Sequence, residues 1–126
     1  LTGVSFPTPP IGAGTSFQKL GRRRGYTLSV VNAAAYVELD GGASRRARLS
    51  LGAVAPTPIR VEAVEQMLEG EVITQKLVED SADACHGLVC PVDDIRGSAE
   101  YRREMSCVLA RRALTEAWKR ARRSKP

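Results

Sequence analysis

A chain of 126 residues with 43% hydrophobic and 26% charged residues has the size of one domain; that balance excludes wholesale disorder and supplies a modest core. No apolar run approaches the roughly 18 residues of a membrane-spanning helix, so no membrane association is expected. The formal charge of +5 suits a polyanion, but the aromatic interleaving and recognisable module of nucleic-acid binders are missing, and nucleic acid is not the expected partner.

The elements read as strands first and helices later. LTGVSF at residues 1–6 is a short apolar-rich strand candidate, and PTPPIGAG after it is the loop to the next strand, since its prolines and glycines cannot sit inside a central one. TSFQKLGRR at 15–23 sets Phe17 and Lys19 against Gln18 and Leu20 with period two. Between Leu28 and Leu39 the pattern predicts a long strand with Ala33, Ala35, Val37 and Leu39 on one face and Tyr36 and Glu38 on the other. The DGG at 40–42 supplies the positive-φ residues of a tight hairpin. The return strand, ASRRARLSLGAVA, turns Ala47, Leu49, Leu51 and Ala53 inward and Arg46, Arg48 and Ser50 outward, as expected of a sheet covered on one side only.

The period then changes to helical. Thr57 is read as an N-cap and Pro58 as the first helical residue of a helix of about three turns that places Val61, Val64 and Leu68 together and ends at Gly70. A second helix over about 74–89 gathers Leu77, Val78, Ala84, Cys85, Leu88 and Val89 against Glu79, Asp80, Asp83 and His86. Pro91 breaks it, and Ser98 caps a third helix over about 99–122 with Glu100 in the first turn. On that helix Tyr101, Met105, Val108 and Leu109 share a face, while Ala113, Leu114, Ala117 and Trp118 move round to another. Such a change predicts two different neighbours, one of them outside the chain. The fold class is therefore α+β: a small antiparallel sheet of three to four strands followed by and packed on three α-helices, a single domain over 1–126 with a basic tail over 119–126.

Candidate chemistry is sparse. The three cysteines, Cys85, Cys90 and Cys107, form no CxxC pair, which argues against a disulfide scaffold and a zinc site and for a reducing, cytoplasmic home. Cys85 reads as a small core residue and His86 as a surface histidine. Asp93 and Asp94 are adjacent, which does not make an acid/base pair; Asp94 and Arg96 read instead as a local ion pair fixing the turn into the third helix. Arg22, Arg23 and Arg24 form one basic cluster, and Lys119, Arg120, Arg122, Arg123 and Lys125 crowd the tail, where cations meet the helix dipole on a frayed end. No phosphate-cradling glycine motif appears. The start at Leu1, without methionine or a leader-like segment, is read as the start of an excised piece of a longer protein.

Three segments in order, KLGRRRGYTLSVVNAAAYVELDGG, RLSLGAVAPTPIRVEAVEQML and PVDDIRGSAEYRREMSCVLARRAL, resemble the C-terminal domain of the FAD-binding (medium) subunit of the molybdenum hydroxylases, the carbon monoxide dehydrogenase and xanthine dehydrogenase type enzymes. The resemblance spans Leu1 to about Trp118. It implies an oxidoreductase subunit whose FAD is held mainly by N-terminal domains of the vanillyl-alcohol-oxidase type, absent here. It further implies partners: a small subunit with iron–sulfur clusters, and a large subunit with molybdopterin, from which electrons pass to the flavin and on to an external acceptor. The C-terminal domain is then a lobe that packs on the FAD domains and the flavin edge and is not catalytic alone. By the same resemblance Lys19, Arg22 and Arg23 are flavin-proximal candidates, and Asp94, Arg96, Gly97, Ser98, Tyr101 and Arg102 form an architectural motif presented to a neighbouring domain. The alternative, resting on charge alone, is an autonomous basic module that binds nucleic acid or another polyanion.

Overall fold

The structure is a computed structural model and describes residues 1–124. Strands β1 (Ala13–Gly21), β2 (Ser29–Asp40), β3 (Ala43–Gly52) and β4 (Ile59–Arg60) precede helices α1 (Glu62–Leu68), α2 (Gln75–Ala84) and α3 (Ala99–Arg123). The four strands form one antiparallel sheet in the order β1-β2-β3-β4, the α+β arrangement that the change of period predicts. Residues 1–6 are not a strand: they lie outside the sheet with Leu1, Val4 and Phe6 exposed. Pro7, Pro9 and Pro10 beside them have no N–H to give a ladder, and the sheet begins only where the Leu39 N–H reaches the Gly12 carbonyl at 2.9 Å.

The β2–β3 hairpin is the part that local chemistry dictates most completely. Asp40 pairs with Ala43 across Gly41 and Gly42, whose φ of 59° and 96° are the left-handed values a two-residue turn needs and glycine supplies without strain. Ala33, Ala35, Val37 and Leu39 are buried as their alternation predicts, opposite Ala47, Leu49 and Leu51. Ala53, expected to point inward, does not. It leaves the strand with φ +63°, and Val54 takes the buried place.

The free edge of β3 explains why Thr57 and Pro58 do not start a helix. Ile59 and Arg60 extend and pair with Leu51 and Ser50, and the Val61 N–H donates to the Leu49 carbonyl at 2.9 Å. The ladder wins over local capping, and the helix starts at Glu62 without a side-chain cap. Beyond β4, side chains of α1 finish the edge. The buried Glu65 carboxylate accepts the Leu49 N–H at 3.1 Å and Arg60 Nη2 at 2.5 Å, and Glu69 accepts the Ala47 N–H at 3.2 Å and Arg48. Two strand donors that would otherwise face outward unpaired are thereby satisfied.

Thr74 caps α2, its hydroxyl accepting the Leu77 N–H at 3.1 Å. The helix tightens to a 3-10 turn at Cys85–Gly87, which rotates the chain, so that Val89 is buried while Leu88, expected inward, is exposed. Cys85 is wholly buried, the core residue its position predicts.

Helix α3 crosses β1 and β2, α1 lies on β3, and α2 bridges α1 and α3. The buried side of α3 is one stripe, comprising Arg102, Ser106, Cys107, Leu109, Ala110, Ala113, Leu114, Ala117 and Ala121. The expected pair of apolar faces is not there: Tyr101 is exposed and Met105 and Val108 are only partly buried. Small residues make the stripe because the helix runs very close to the sheet. A Cβ at Gly14 would lie 2.1 Å from the Ala117 carbonyl oxygen and 2.4 Å from the Ala121 nitrogen. Nor is the described part of the tail frayed. The Arg120 Nη1 donates to the Thr15 carbonyl at 2.8 Å, and Ser124 Oγ accepts the Gly12 N–H at 2.8 Å; Lys125 lies outside the described residues.

Gly14→Ala is expected to lower stability by about 3 kcal/mol, the upper end of overpacking, while Gly87→Ala, with nothing within 4 Å of its new carbon, is expected to leave it nearly unchanged; chemical denaturation of both checks this. Burial alone raises the Glu65 carboxyl, but the bonds from Arg60 and the Leu49 N–H outweigh it, and the group titrates below its usual range, as does Glu69 beside Arg48. A depressed folded pKa gives stability that is present above the unfolded value, about 4.3, and lost as pH falls through the folded one. Glu65→Ala is therefore expected to cost about 2 kcal/mol at neutral pH and to flatten the acid limb of a stability–pH profile; an unchanged limb would exclude this role.

Candidate functional site

The turn from Pro91 to Ser98 sets the start of α3 and the geometry of its surroundings. The Ser98 hydroxyl accepts the Tyr101 N–H at 3.1 Å, and Asp93 Oδ1 accepts the Ala99 N–H at 2.6 Å, so one of the adjacent acids serves the helix end directly. Asp94 binds two arginines. Its Oδ2 accepts from Arg96 Nε at 2.9 Å and Nη2 at 2.6 Å, and its Oδ1 from the Arg96 N–H at 2.8 Å and from Arg102. The Arg96 and then the Arg102 guanidinium hold the Asp94 carboxyl far below the usual carboxylate range. Arg102 is 2% exposed, with Nη1 donating to the Ala53 carbonyl at 3.1 Å. Gly97 leaves room for Tyr101, whose Cδ1 would stand 3.3 Å from a Cβ there.

This turn is tied to the loop between β1 and β2. Arg22 Nη1 donates to the Ile95 carbonyl at 2.6 Å, and Arg96 Nη1 to the Ser29 carbonyl at 3.3 Å. Arg23 folds back on its own loop, Nη2 donating to the Tyr26 carbonyl at 2.9 Å. A cleft of about 410 Å³ runs between loop and turn, lined by Arg22, Arg23, Leu28, Ile95 and Arg96 among others. Lys19 stands apart on the exposed face of β1 and shares a smaller cleft of about 190 Å³ with Arg23. Residues 22–23 and 94–102, far apart in sequence, thus meet at one end of the sheet.

Sequence reasoning missed the apolar residues there. Tyr26, Leu28, Val92 and Ile95 are all more than half exposed, around the arginines. The open face of the sheet was expected, but not that Phe17 belongs to it: the register brings Phe17 beside Ala34 and Thr15 beside Tyr36, with Phe17 62% exposed. The signal was present: Phe17 and Tyr36 alternate with the core positions, so their rings belong to the uncovered side.

The arrangement offers charge and apolar surface rather than bond-breaking chemistry. Burial pushes the Cys85 thiol up to about 12, and burial also raises Cys107, so neither is a ready nucleophile. His86 Nε2 lies 3.1 Å from Glu100 Oε1, an acid from the next helix that spacing alone does not reveal. Among the described residues no group of three or more His, Cys, Asp and Glu could hold a metal ion, and no helix is long and apolar enough to cross a membrane.

The family model of the CO dehydrogenase flavoprotein C-terminal domain matches residues 16–117. The carbon monoxide dehydrogenase medium chain of Afipia carboxidovorans is 33% identical over 121 residues, 96% of this chain and 42% of its own. The xanthine dehydrogenase FAD-binding subunit of Escherichia coli O157:H7 is 28% identical over 111 residues, 88% of this chain and 38% of its own. A solved structure of carbon monoxide dehydrogenase from Hydrogenophaga pseudoflava, lacking the Mo-pyranopterin moiety of the molybdenum cofactor, superposes with a TM-score of 0.85 at 35% identity, covering 90% of this chain and 39% of that one. The chain spans about two fifths of the length of the curated relatives it matches.

Asp93→Asn keeps an oxygen for the Ala99 N–H, whereas Asp94→Asn loses the charge that binds Arg96 and Arg102. The second substitution is expected to lower the urea midpoint more than the first and to speed amide exchange across residues 22–28. Because the folded pKa of Asp94 is depressed, its contribution is present above the unfolded value, about 3.9, and fades as pH falls through the folded one. Equal midpoints for the two variants would overturn the assignment.

Proposed function

The chain belongs to the CO dehydrogenase flavoprotein C-terminal domain family, and from that premise we propose that it is the C-terminal lobe of an FAD-containing oxidoreductase subunit. In this reading it packs on FAD-binding domains and covers the flavin edge, within a complex that relays electrons from a molybdenum and iron–sulfur hydroxylase to an external acceptor. The observation that carries the reading is the convergence of Arg22, Arg23 and the 94–102 turn at one end of the sheet, ringed by exposed Tyr26, Leu28, Val92 and Ile95. Exposed apolar residues rimmed by cations suit a covered surface better than a solvated one.

The residues fit FAD as a cover rather than as a holder. The clefts beside Lys19 and Arg23 are small and open, and no glycine-rich phosphate cradle is present. A flat surface is available beside them, where Phe17 and Lys19 stand on the uncovered face of β1. Bound FAD would supply the two-electron chemistry. Lys19 and Arg23 would supply positive charge beside it, which favours added electron density on a neighbouring cofactor. Arg22, engaged with Ile95, would hold the loop in place. The 94–102 motif would fix the turn against which the neighbouring domain rests.

Mixing the chain with the FAD-binding portion of such a subunit is expected to give co-elution and altered flavin fluorescence. Lys19→Ala should weaken the fluorescence change, and Arg22→Ala should weaken co-elution through the loop. Failure to associate at micromolar concentration would sink the reading.

A further inference from the structure

We infer that the outer edge of β1 receives an extended acidic segment of another protein as an added antiparallel strand. β1 is an end strand of the sheet, and only its inner side is paired. The Leu39 N–H meets the Gly12 carbonyl and the register runs on from there, so by the alternation of an antiparallel ladder Gly14, Ser16, Gln18 and Leu20 bond to β2. The main-chain groups of Thr15, Phe17 and Lys19 therefore point away from the sheet. Thr15 bears this out, since its carbonyl accepts Arg120 Nη1 from α3 at 2.8 Å. Among the described residues no partner meets the N–H and carbonyl of Phe17 and Lys19, and both residues are exposed. A row of free donors and acceptors along a strand is what another extended backbone matches.

Charge beside the edge selects the segment. On the helix side a shallow cleft of about 330 Å³ is lined by Gln18, Arg111, Arg112, Thr115, Glu116 and Lys119. Arg111 is paired with Asp83 and Glu116 with Arg120, whereas the exposed Arg112 and Lys119 have no carboxylate at ion-pair distance among the described residues. These two lie seven residues apart, about 10 Å along the helix, between the spans of roughly 7 and 14 Å that separate strand residues two and four apart. Acids at alternate positions of an added strand therefore reach both cations, and the positions between stand beside Phe17 on the other face, where a β-branched residue pairs well. The β3 edge is finished by carboxylates of α1; the charge beside β1 is positive, so this edge admits an acidic strand and turns away a basic one. A second copy is disfavoured by the same charges, because β1 against β1 about a two-fold axis sets Arg112 and Lys119 of each chain near those of the other. The inference does not rest on the FAD reading, which uses side chains on the open face rather than main-chain groups of the edge and cations on the helix side.

The probe is the end-blocked peptide Glu-Val-Glu-Val-Glu, titrated at low salt into the 126-residue chain. It is expected to bind and to slow amide exchange at Phe17 and Lys19, whereas Lys-Val-Lys-Val-Lys does neither. In the antiparallel pairing the two valines lie opposite Phe17 and Lys19, so N-methylating both removes hydrogen bonds to β1 and keeps every charge; affinity is expected to fall about tenfold or more. Combining Arg112→Ala with Lys119→Ala should weaken binding about fivefold and leave the thermal midpoint unchanged. Equal affinity of the N-methylated peptide would reduce the contact to charge alone and overturn the inference. Equal binding of the lysine peptide, or a dimer of the chain whose formation protects the same two amides, would overturn it as well.

Discussion

Helix α3 lies so close to the sheet that the space between them admits little more than hydrogen atoms and methyl groups. Gly14 on β1 meets Ala117 and Ala121 across that gap, and Ala33 and Ala35 on β2 and Ala110 and Ala113 on α3 are buried with them between helix and sheet. Close packing of this kind tolerates few errors in volume, so it fixes the position of the helix along the strands. Both ends of the helix are then committed. The C-terminal end lies on Gly12 and Thr15 through Ser124 and Arg120, and the N-terminal end brings Asp94 and Arg96 to the β1–β2 loop. The arrangement of the β1–β2 loop and the 94–102 turn is therefore set by a contact well away from it.

The two sheet edges and two sheet faces are treated differently, and the difference indicates where partners belong. The edge of β3 is closed by β4 and then by carboxylates of α1, which discourages pairing with another chain. One face is covered by the helices. The other keeps Phe17 exposed and Tyr36 partly so, and the Tyr36 hydroxyl donates to Glu38 at 2.8 Å. A sheet with one open face and a guarded β3 edge favours face-on contact over strand addition at that edge.

Much of this was legible in the sequence, for physical reasons that can be named. The DGG turn and the alternation on either side of it define the hairpin locally, and Ser98 marks the third helix because a hydroxyl there satisfies an orphan N–H. Tertiary competition defeated the same logic at Thr57–Pro58, where a free strand edge captured Ile59 and Arg60. On α3, size favours Tyr101, Met105 and Val108 for burial, but size predicts burial only where there is room, and here the buried stripe is Ala110, Ala113, Ala117 and Ala121 together with Leu109, Leu114, Cys107, Ser106 and Arg102. The convergence of Arg22 with Ile95 needed the fold; nothing in the spacing of residues 73 apart announces it. The resemblance to a family located both segments without showing that they touch.

The distribution of charge weighs the two functional readings against each other. The net charge of +5 leaves basic residues in excess, and that excess divides between the β1–β2 loop and the end of α3. At the helix end, Arg120 is occupied by Glu116 and the Thr15 carbonyl, and Arg122 lies over Trp118 at 5.5 Å. These cations serve the packing of the helix on β1 and the compensation of its dipole, which leaves a weak electrostatic footprint for a polyanion. At the loop, by contrast, the arginines stand among exposed apolar side chains, and two of them, Arg22 and Arg23, are bonded to main-chain carbonyls that hold them in fixed directions. A phosphate backbone asks for mobile, solvated cations spread along a groove; cations fixed in direction within an apolar surround suit a surface of defined shape, which a folded neighbour provides.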